Sequence, residues 1–128
     1  MNAAVGSAPS STRRDALARY GERVAARHLT DHGMVLLDRN WHCSAGEIDL
    51  VLRHGDVLVV CEVKTRASEA CGTPHEAVTP QKLERLQRLA ALWTEAHGVR
   101  PPDIRIDLVA VRCPPRGAAI VDHVAGLQ

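Results

Sequence analysis

Gly46 to Arg66 reads GEIDLVLRHGDVLVVCEVKTR, two apolar runs around a short polar break, Arg53-His54-Gly55-Asp56. The break has the composition of a hairpin turn between two strands. Side chains two apart in a strand share a face. Glu47 and Asp49 are therefore expected on one face of the first strand, with Ile48, Leu50 and Leu52 on the other. In the second strand Glu62 and Lys64 share a face with Leu58 and Val60, opposite Val57, Val59, Cys61 and Val63. A strand that is apolar on both faces through Val57-Leu58-Val59-Val60-Cys61 belongs in the centre of a sheet.

A two-residue Gly55-Asp56 loop sets Asp49 opposite Glu62 and Glu47 opposite Lys64. A His54-Gly55 loop shifts the pairing by two and keeps the same four groups on one face, whereas an odd-length turn separates them. Like charges directly opposed on a sheet are unfavourable, so two such carboxylates share a proton or a cation. In a partly wet cleft at neutral pH the cation is the more natural solution. Oxygen donors without a His or Cys cluster select Mg2+ or Mn2+ rather than zinc. Lys64 then has a place beside the metal, holding the attacking water or stabilising developing negative charge. Spacing alone leaves a second reading open, in which Glu47 and Lys64 form a rim salt bridge and Asp49 and Glu62 face solvent.

Outward from this hairpin the chain is ordinary globular material. Its 128 residues suit one domain, and 45% hydrophobic with 24% charged residues argues against wholesale disorder. A net charge of +1 does not announce a polyanionic partner, and two Trp, one Tyr and no Phe make a poor base-stacking platform. Only Lys64 and Lys82 are lysines among sixteen cationic residues; the rest are arginines. The four cysteines form no CxxC pair, and neither an export signal nor a membrane-length apolar run is visible. The expectation is a reduced, cytoplasmic protein without a membrane partner.

Residues 1–12 have the small, polar composition of a flexible tail, leaving 13–128 as a single domain. Ser11 or Thr12 caps a helix from about Arg13 to His32, with Leu17, Tyr20, Val24 and His28/Leu29 at helical spacing. A strand is expected over Met34 to Leu37. After a looser stretch from Arg66 to Val78, Thr79-Pro80 opens a second helix striped by Leu83, Leu86, Ala90, Trp93 and His97 and stopped by Gly98. Ile104 to Val111 is a strand with Ile104, Ile106, Leu108 and Ala110 on one face, and Ala118 to Val124 returns as an edge strand. The order α-β-β-β-α-β-β predicts an α/β fold, a mixed central sheet flanked by helices.

The longer pattern, Gly46-Glu47-Ile48-Asp49-Leu50 followed by Glu62-Val63-Lys64-Thr65-Arg66, resembles the restriction-endonuclease-like superfamily with its PD-(D/E)xK signature. More closely it resembles the YraN-type family of small bacterial proteins, which are similar to archaeal Holliday-junction resolvases. The resemblance runs from about Arg19 to Val111 and takes in Gly21-Glu22, Gly72, Glu76-Ala77-Val78-Thr79, Lys82 and Arg105-Ile106-Asp107. It departs from the superfamily where Glu47-Ile48-Asp49 stands in place of Pro-Asp. The resemblance implies metal ligands at Asp49, Glu62 and the Val63 carbonyl, a catalytic lysine at Lys64, an auxiliary acid at Glu22 and a less defined role for Glu47.

The function expected on this basis is Mg2+- or Mn2+-dependent hydrolysis of DNA phosphodiesters, on branched or recombination-intermediate DNA. Arg66 and Lys82 are the expected contacts to the DNA backbone. Symmetrical cutting of two strands by a one-site chain requires a homodimer. The rival from another class is a nucleic-acid-binding or interaction module that keeps the fold without efficient catalysis. A phosphoesterase acting on a small nucleotide is disfavoured, because no phosphate loop or stacking signal is present. Cys71 with His75, and His42 with Cys43, lack four-ligand zinc spacing, and no histidine has a partner identifiable from sequence. His28, His97 and Trp93 read as packing residues.

Overall fold

A computed structural model describes residues 12–67 and 78–128. Helix α1 (Arg13–Asp31) is followed by β1 (Val35–Cys43), β2 (Gly46–His54), β3 (Val57–Arg66), α2 (Pro80–His97), β4 (Asp103–Arg112) and β5 (Ile120–Val124). This is the expected α-β-β-β-α-β-β order. The expected tail, up to residue 11, and the Cys71, Gly72, His75, Glu76 and Ala77 features lie outside the described residues.

The strands form one mixed sheet in the order β1-β2-β3-β4-β5. β3 pairs antiparallel with β2 and parallel with β4, and α2 makes the crossover between them. The Gly55-Asp56 register holds: Leu50 pairs with Cys61 and His54 with Val57. β3 is central and buried on both faces, as its uninterrupted apolar run requires. One layer packs Leu29, Leu50, Leu52, Val59, Cys61 and Val109 beneath α1. The other packs Ile48, Val60, Leu86, Leu89, Trp93 and Ile106 beneath α2.

Both helices start where their chemistry allows. Thr12 caps α1 through the Asp15 N–H, and the Asp15 carboxylate reaches back to the Thr12 N–H in a capping box. Thr79 caps α2 through the Lys82 N–H, and Gly98, at φ 65°, ends it.

Several expectations shift. The buried stripe of α1 is Gly21, Ala25, Ala26 and Leu29 rather than one led by Leu17 and Tyr20. Small residues let this helix lie low on the sheet, and Tyr20 turns outward beneath the Arg23 guanidinium. β1 continues past Leu37 to Cys43. β4 is not one-faced: Asp107, Val109 and Val111 are as buried as Ile106 and Leu108, while Ile104 is exposed.

Ile48 and Leu50 lie in opposite layers, against strict alternation. The paired β2–β3 register ends at Leu50 and Cys61, and the next step, at Asp49, breaks the alternation. There the Asp49 carboxylate, rather than a β2 carbonyl, accepts the Val63 N–H.

Asp107 is fully buried and saturated. Arg105 grips it with two N–H groups at 2.8 and 2.9 Å, His123 Nε2 lies 2.7 Å away, and the Gly126 N–H donates at 3.0 Å. Burial pushes this carboxyl up, but the bonds from Arg105, Gly126 and His123 outweigh it and hold it below its ordinary value. The Arg105-Ile106-Asp107 motif thus fastens the C-terminal segment to the sheet, helped by the Leu127 N–H on the Ile106 carbonyl.

Candidate active site

The end of β3 carries Glu62, Val63, Lys64 and Thr65, beyond the last paired residue of β2. Asp49 enters from β2, and its Oδ2 accepts the Val63 N–H at 2.8 Å. Val63 is therefore tied to the site through its N–H. Burial, the Glu62 carboxylate and, more weakly, Glu22 and Glu47 push the Asp49 carboxyl from 3.8 to about 7, against the pull of the Val63 bond. The structure thus gathers Asp49, Glu62, Glu22 and Glu47 into one electrostatic neighbourhood from three elements.

Glu62 points to the α2 side, as the register predicts. Lys82 Nζ lies 2.5 Å from Glu62 Oε2, and Lys64 Nζ lies 3.8 Å from the same oxygen. Burial, and then the neighbouring Lys82 ammonium, hold the Lys64 amine below the ordinary lysine value, while Glu62 pulls the other way. The two lysines of the chain therefore meet at one carboxylate oxygen. Lys82, expected as a backbone contact, is anchored on Glu62 in this structure. Arg66 is exposed at the strand end, with Nη1 donating to the Thr65 carbonyl.

Glu22 reaches the site because Gly21 lets α1 press onto β3. A Cβ at Gly21 would fall 1.9 Å from Thr65 Oγ1. Burial raises the Glu22 carboxyl, a hydrogen bond from the Asn40 side chain lowers it, Glu47 raises it, and Arg39 and Arg19 lower it; the net shift is upward. Asn40 has φ 52°, and among the described residues it alone besides glycine has positive φ. Sequence reasoning did not assign Asn40 a role. The available signal was its residue type, since asparagine tolerates the left-handed region. A cleft of about 130 Å³ lies here, lined by Arg19, Glu22, Arg23, Arg39, Asn40 and Leu50.

Glu47 does not face Lys64. β1 supplies its cross-strand partner, His42, whose Nε2 is 3.5 Å from Glu47 Oε2. Other histidines also have partners the sequence did not reveal. His123 bonds Asp107, and His97 stacks on Trp93 and approaches Asp38 at 3.7 Å. Trp93 is buried, as expected, and its indole N–H donates to Asp38.

Among the described residues, no three His, Cys, Asp or Glu side chains converge to hold a metal between them. The set implied by the resemblance asks less, two carboxylates and one carbonyl. A half-buried carboxyl raised by burial and then by its acidic neighbours, in an oxygen-only donor set, fits a hard divalent cation. No helix among these residues is long and apolar enough to cross a membrane.

Fold and site together define a small mixed-sheet α/β protein with a carboxylate cluster and two amines where its central strands part. The chain belongs to the uncharacterised protein family UPF0102, whose sequence model matches residues 21–111. That is the family to which the YraN-type resemblance pointed. A UPF0102 protein of Nocardioides sp. is 64% identical over 114 residues, covering 89% of this chain and 92% of that one. One from Kineococcus radiotolerans is 63% identical, covering 90% and 95%, and one from Streptomyces coelicolor is 58% identical, covering 89% of each. Among solved structures, the chain is similar to Archaeoglobus fulgidus Hjc, a Holliday junction resolvase from an archaeal hyperthermophile. The TM-score is 0.43 at 17% identity, covering 81% of this chain and 74% of that one.

Proposed function

We propose that this protein is a divalent-metal-dependent endonuclease that hydrolyses DNA phosphodiesters. The observation that carries the reading is the meeting of Asp49, with its carboxyl raised to about 7, and Glu62, paired with Lys82 and near Lys64, where β2 and β3 separate. A partly buried, perturbed carboxyl beside a second carboxylate and two amines is a set of residue types that phosphoryl chemistry uses. The preference for branched or recombination-intermediate DNA rests on the sequence resemblance to archaeal Holliday-junction resolvases.

Asp49, Glu62 and the Val63 carbonyl are the residues that would hold Mg2+ or Mn2+, which when bound polarises a phosphate and eases deprotonation of water. The chain's own residues do the rest. Lys64, with an amine already easier to deprotonate than usual, hydrogen-bonds the attacking water and offsets charge gathering on the phosphate. Glu22, held by Asn40, is the auxiliary acid, and Glu47 adds negative potential at the rim. Arg66 and Lys82 meet the DNA backbone. In the reaction a water oxygen bonds to phosphorus, one bridging P–O bond breaks, and the departing oxygen takes up a proton. The product ends are a phosphate and a hydroxyl.

The test is incubation of labelled linear, flap and four-way DNA with Mg2+ or Mn2+, using the wild type, Asp49→Ala and Lys64→Ala. Metal-dependent products lost in both variants are expected. Binding without products, unchanged by either substitution, would place the protein among binding modules instead.

A further inference from the structure

The pair formed by Glu62 and Lys82 has features that an ordinary surface salt bridge lacks. Side-chain exposure is 13% for Glu62 and 19% for Lys82, so solvent screens the pair only in part. Lys82 stands in the first turn of α2, a turn without an acidic residue. An ammonium there opposes the positive end of the helix dipole. The Lys64 amine, itself 3.8 Å from the same Glu62 oxygen, repels it further. Two unfavourable fields act on this ammonium, and the Glu62 carboxylate is what keeps it in place.

Residue type supports the same conclusion. Fourteen of the sixteen cationic residues are arginine, yet both groups at Glu62 are lysine. Arginine holds a carboxylate with a planar two-pronged fork, whereas lysine is a point charge on a flexible stem that lets go easily. Glu62 is also one of the two carboxylates assigned above to the metal.

Resting on that assignment, we infer that Lys82 is a positioning residue that occupies the cation's place on Glu62, and that a divalent ion and the Lys82 ammonium exchange there. Lys82 thereby sets the metal affinity of the site by competition. It keeps Glu62 paired and pre-positioned while the site holds no ion, and it leaves when a doubly charged ion arrives.

The experiment is Mn2+ binding to the full chain without DNA, followed by the electron paramagnetic resonance signal of the free aqueous ion. Lys82→Met is expected to bind Mn2+ about fivefold more tightly than wild type, the upper end of what a solvent-accessible ion pair contributes. Lys82→Arg, which keeps the charge but grips more firmly, is expected to bind more weakly than wild type. Lys64→Met removes a charge near the same oxygen without removing the close pair, and is expected to change affinity much less. Equal gains in Lys82→Met and Lys64→Met would mean general electrostatics and would overturn the exchange, as would no gain in Lys82→Met. Asp49→Ala separates this inference from the nuclease reading. Mn2+ binding that depends on Asp49 and tightens in Lys82→Met, without DNA cleavage, leaves the exchange standing and removes the nuclease. Absence of Mn2+ binding in both wild type and Lys82→Met removes the metal assignment and the exchange together.

Discussion

Gly21 and Thr65 are in contact closely enough that no other residue fits at position 21 without movement. A Cβ there would meet Thr65 Oγ1 at 1.9 Å, Cγ2 at 2.7 Å and Cβ at 2.8 Å. Rotating Thr65 relieves the first two but not the third, so the helix itself must retreat. Gly21→Ala is expected to cost about 1–3 kcal/mol, an overpacking penalty that outweighs the helix propensity gained. Thermal unfolding checks this, and Thr65→Ala in the same chain should recover part of the loss. An unchanged melting temperature in Gly21→Ala would mean that α1 does not depend on this approach.

Asp49 makes stability depend on pH in a defined direction. Its folded value, about 7, lies above the ordinary 3.8, so the folded chain binds the proton more tightly than the unfolded one. That contribution is complete below about pH 4 and is lost as pH rises toward 7, a change on the order of 4 kcal/mol. Urea unfolding across this window should show falling stability in wild type and a flatter profile in Asp49→Asn. Above pH 7, MgCl2 should stabilise the wild type and leave Asp49→Asn unaffected.

Asp107 works with the opposite sign. Its folded value lies below the ordinary one, so its contribution is present above that ordinary value and is lost as pH falls through the folded value. Asp107→Ala strands the Arg105 guanidinium and the Gly126 N–H, and is expected to cost about 3 kcal/mol. Hydrogen exchange at the Gly126 and Leu127 amides should accelerate in this variant before the sheet opens globally. Equal protection in both proteins would show that the segment is held by other contacts.

Asn40 separates folding from activity. Asn40→Gly accepts φ 52° without strain and removes the bond to the Glu22 carboxyl. Its melting temperature should stay close to wild type, while DNA cleavage falls about tenfold or more as Glu22, the proposed auxiliary acid, loses its orientation. Cleavage at the wild-type rate would remove Glu22 from the site. Asn40→Val, which resists positive φ, should instead lose stability.

Much of this fold was legible along the chain. Alternation and turn composition located β2 and β3 and their two-residue loop, and the observed partners keep that register. The apolar run in β3 placed it centrally, and Thr12, Thr79 and Gly98 marked helix ends through capping chemistry that is local by nature. The α1 stripe was read correctly at Leu29 and, in part, at Val24, but Gly21, Ala25 and Ala26 were missed because only large apolar residues were counted as core, whereas small ones allow close approach. Alternation failed between Ile48 and Leu50, where the β2–β3 register ends and the β1–β2 register skips Asn40 and Asp49.

The sequence by itself determined that one hairpin carries Asp49, Glu62 and Lys64, and that an even-length turn in it would set their side chains on one face. It could not decide what stands opposite them. Lys82 comes to Glu62 from α2, Glu22 comes from α1 and is bonded by Asn40, and Glu47 turns to His42 of β1. The first two partnerships join different layers and depend on how closely each helix lies on the sheet, while the third is set by the β1–β2 register. Neighbours along a strand follow from backbone geometry, but contacts between layers follow from packing, which exists only once the layers have met.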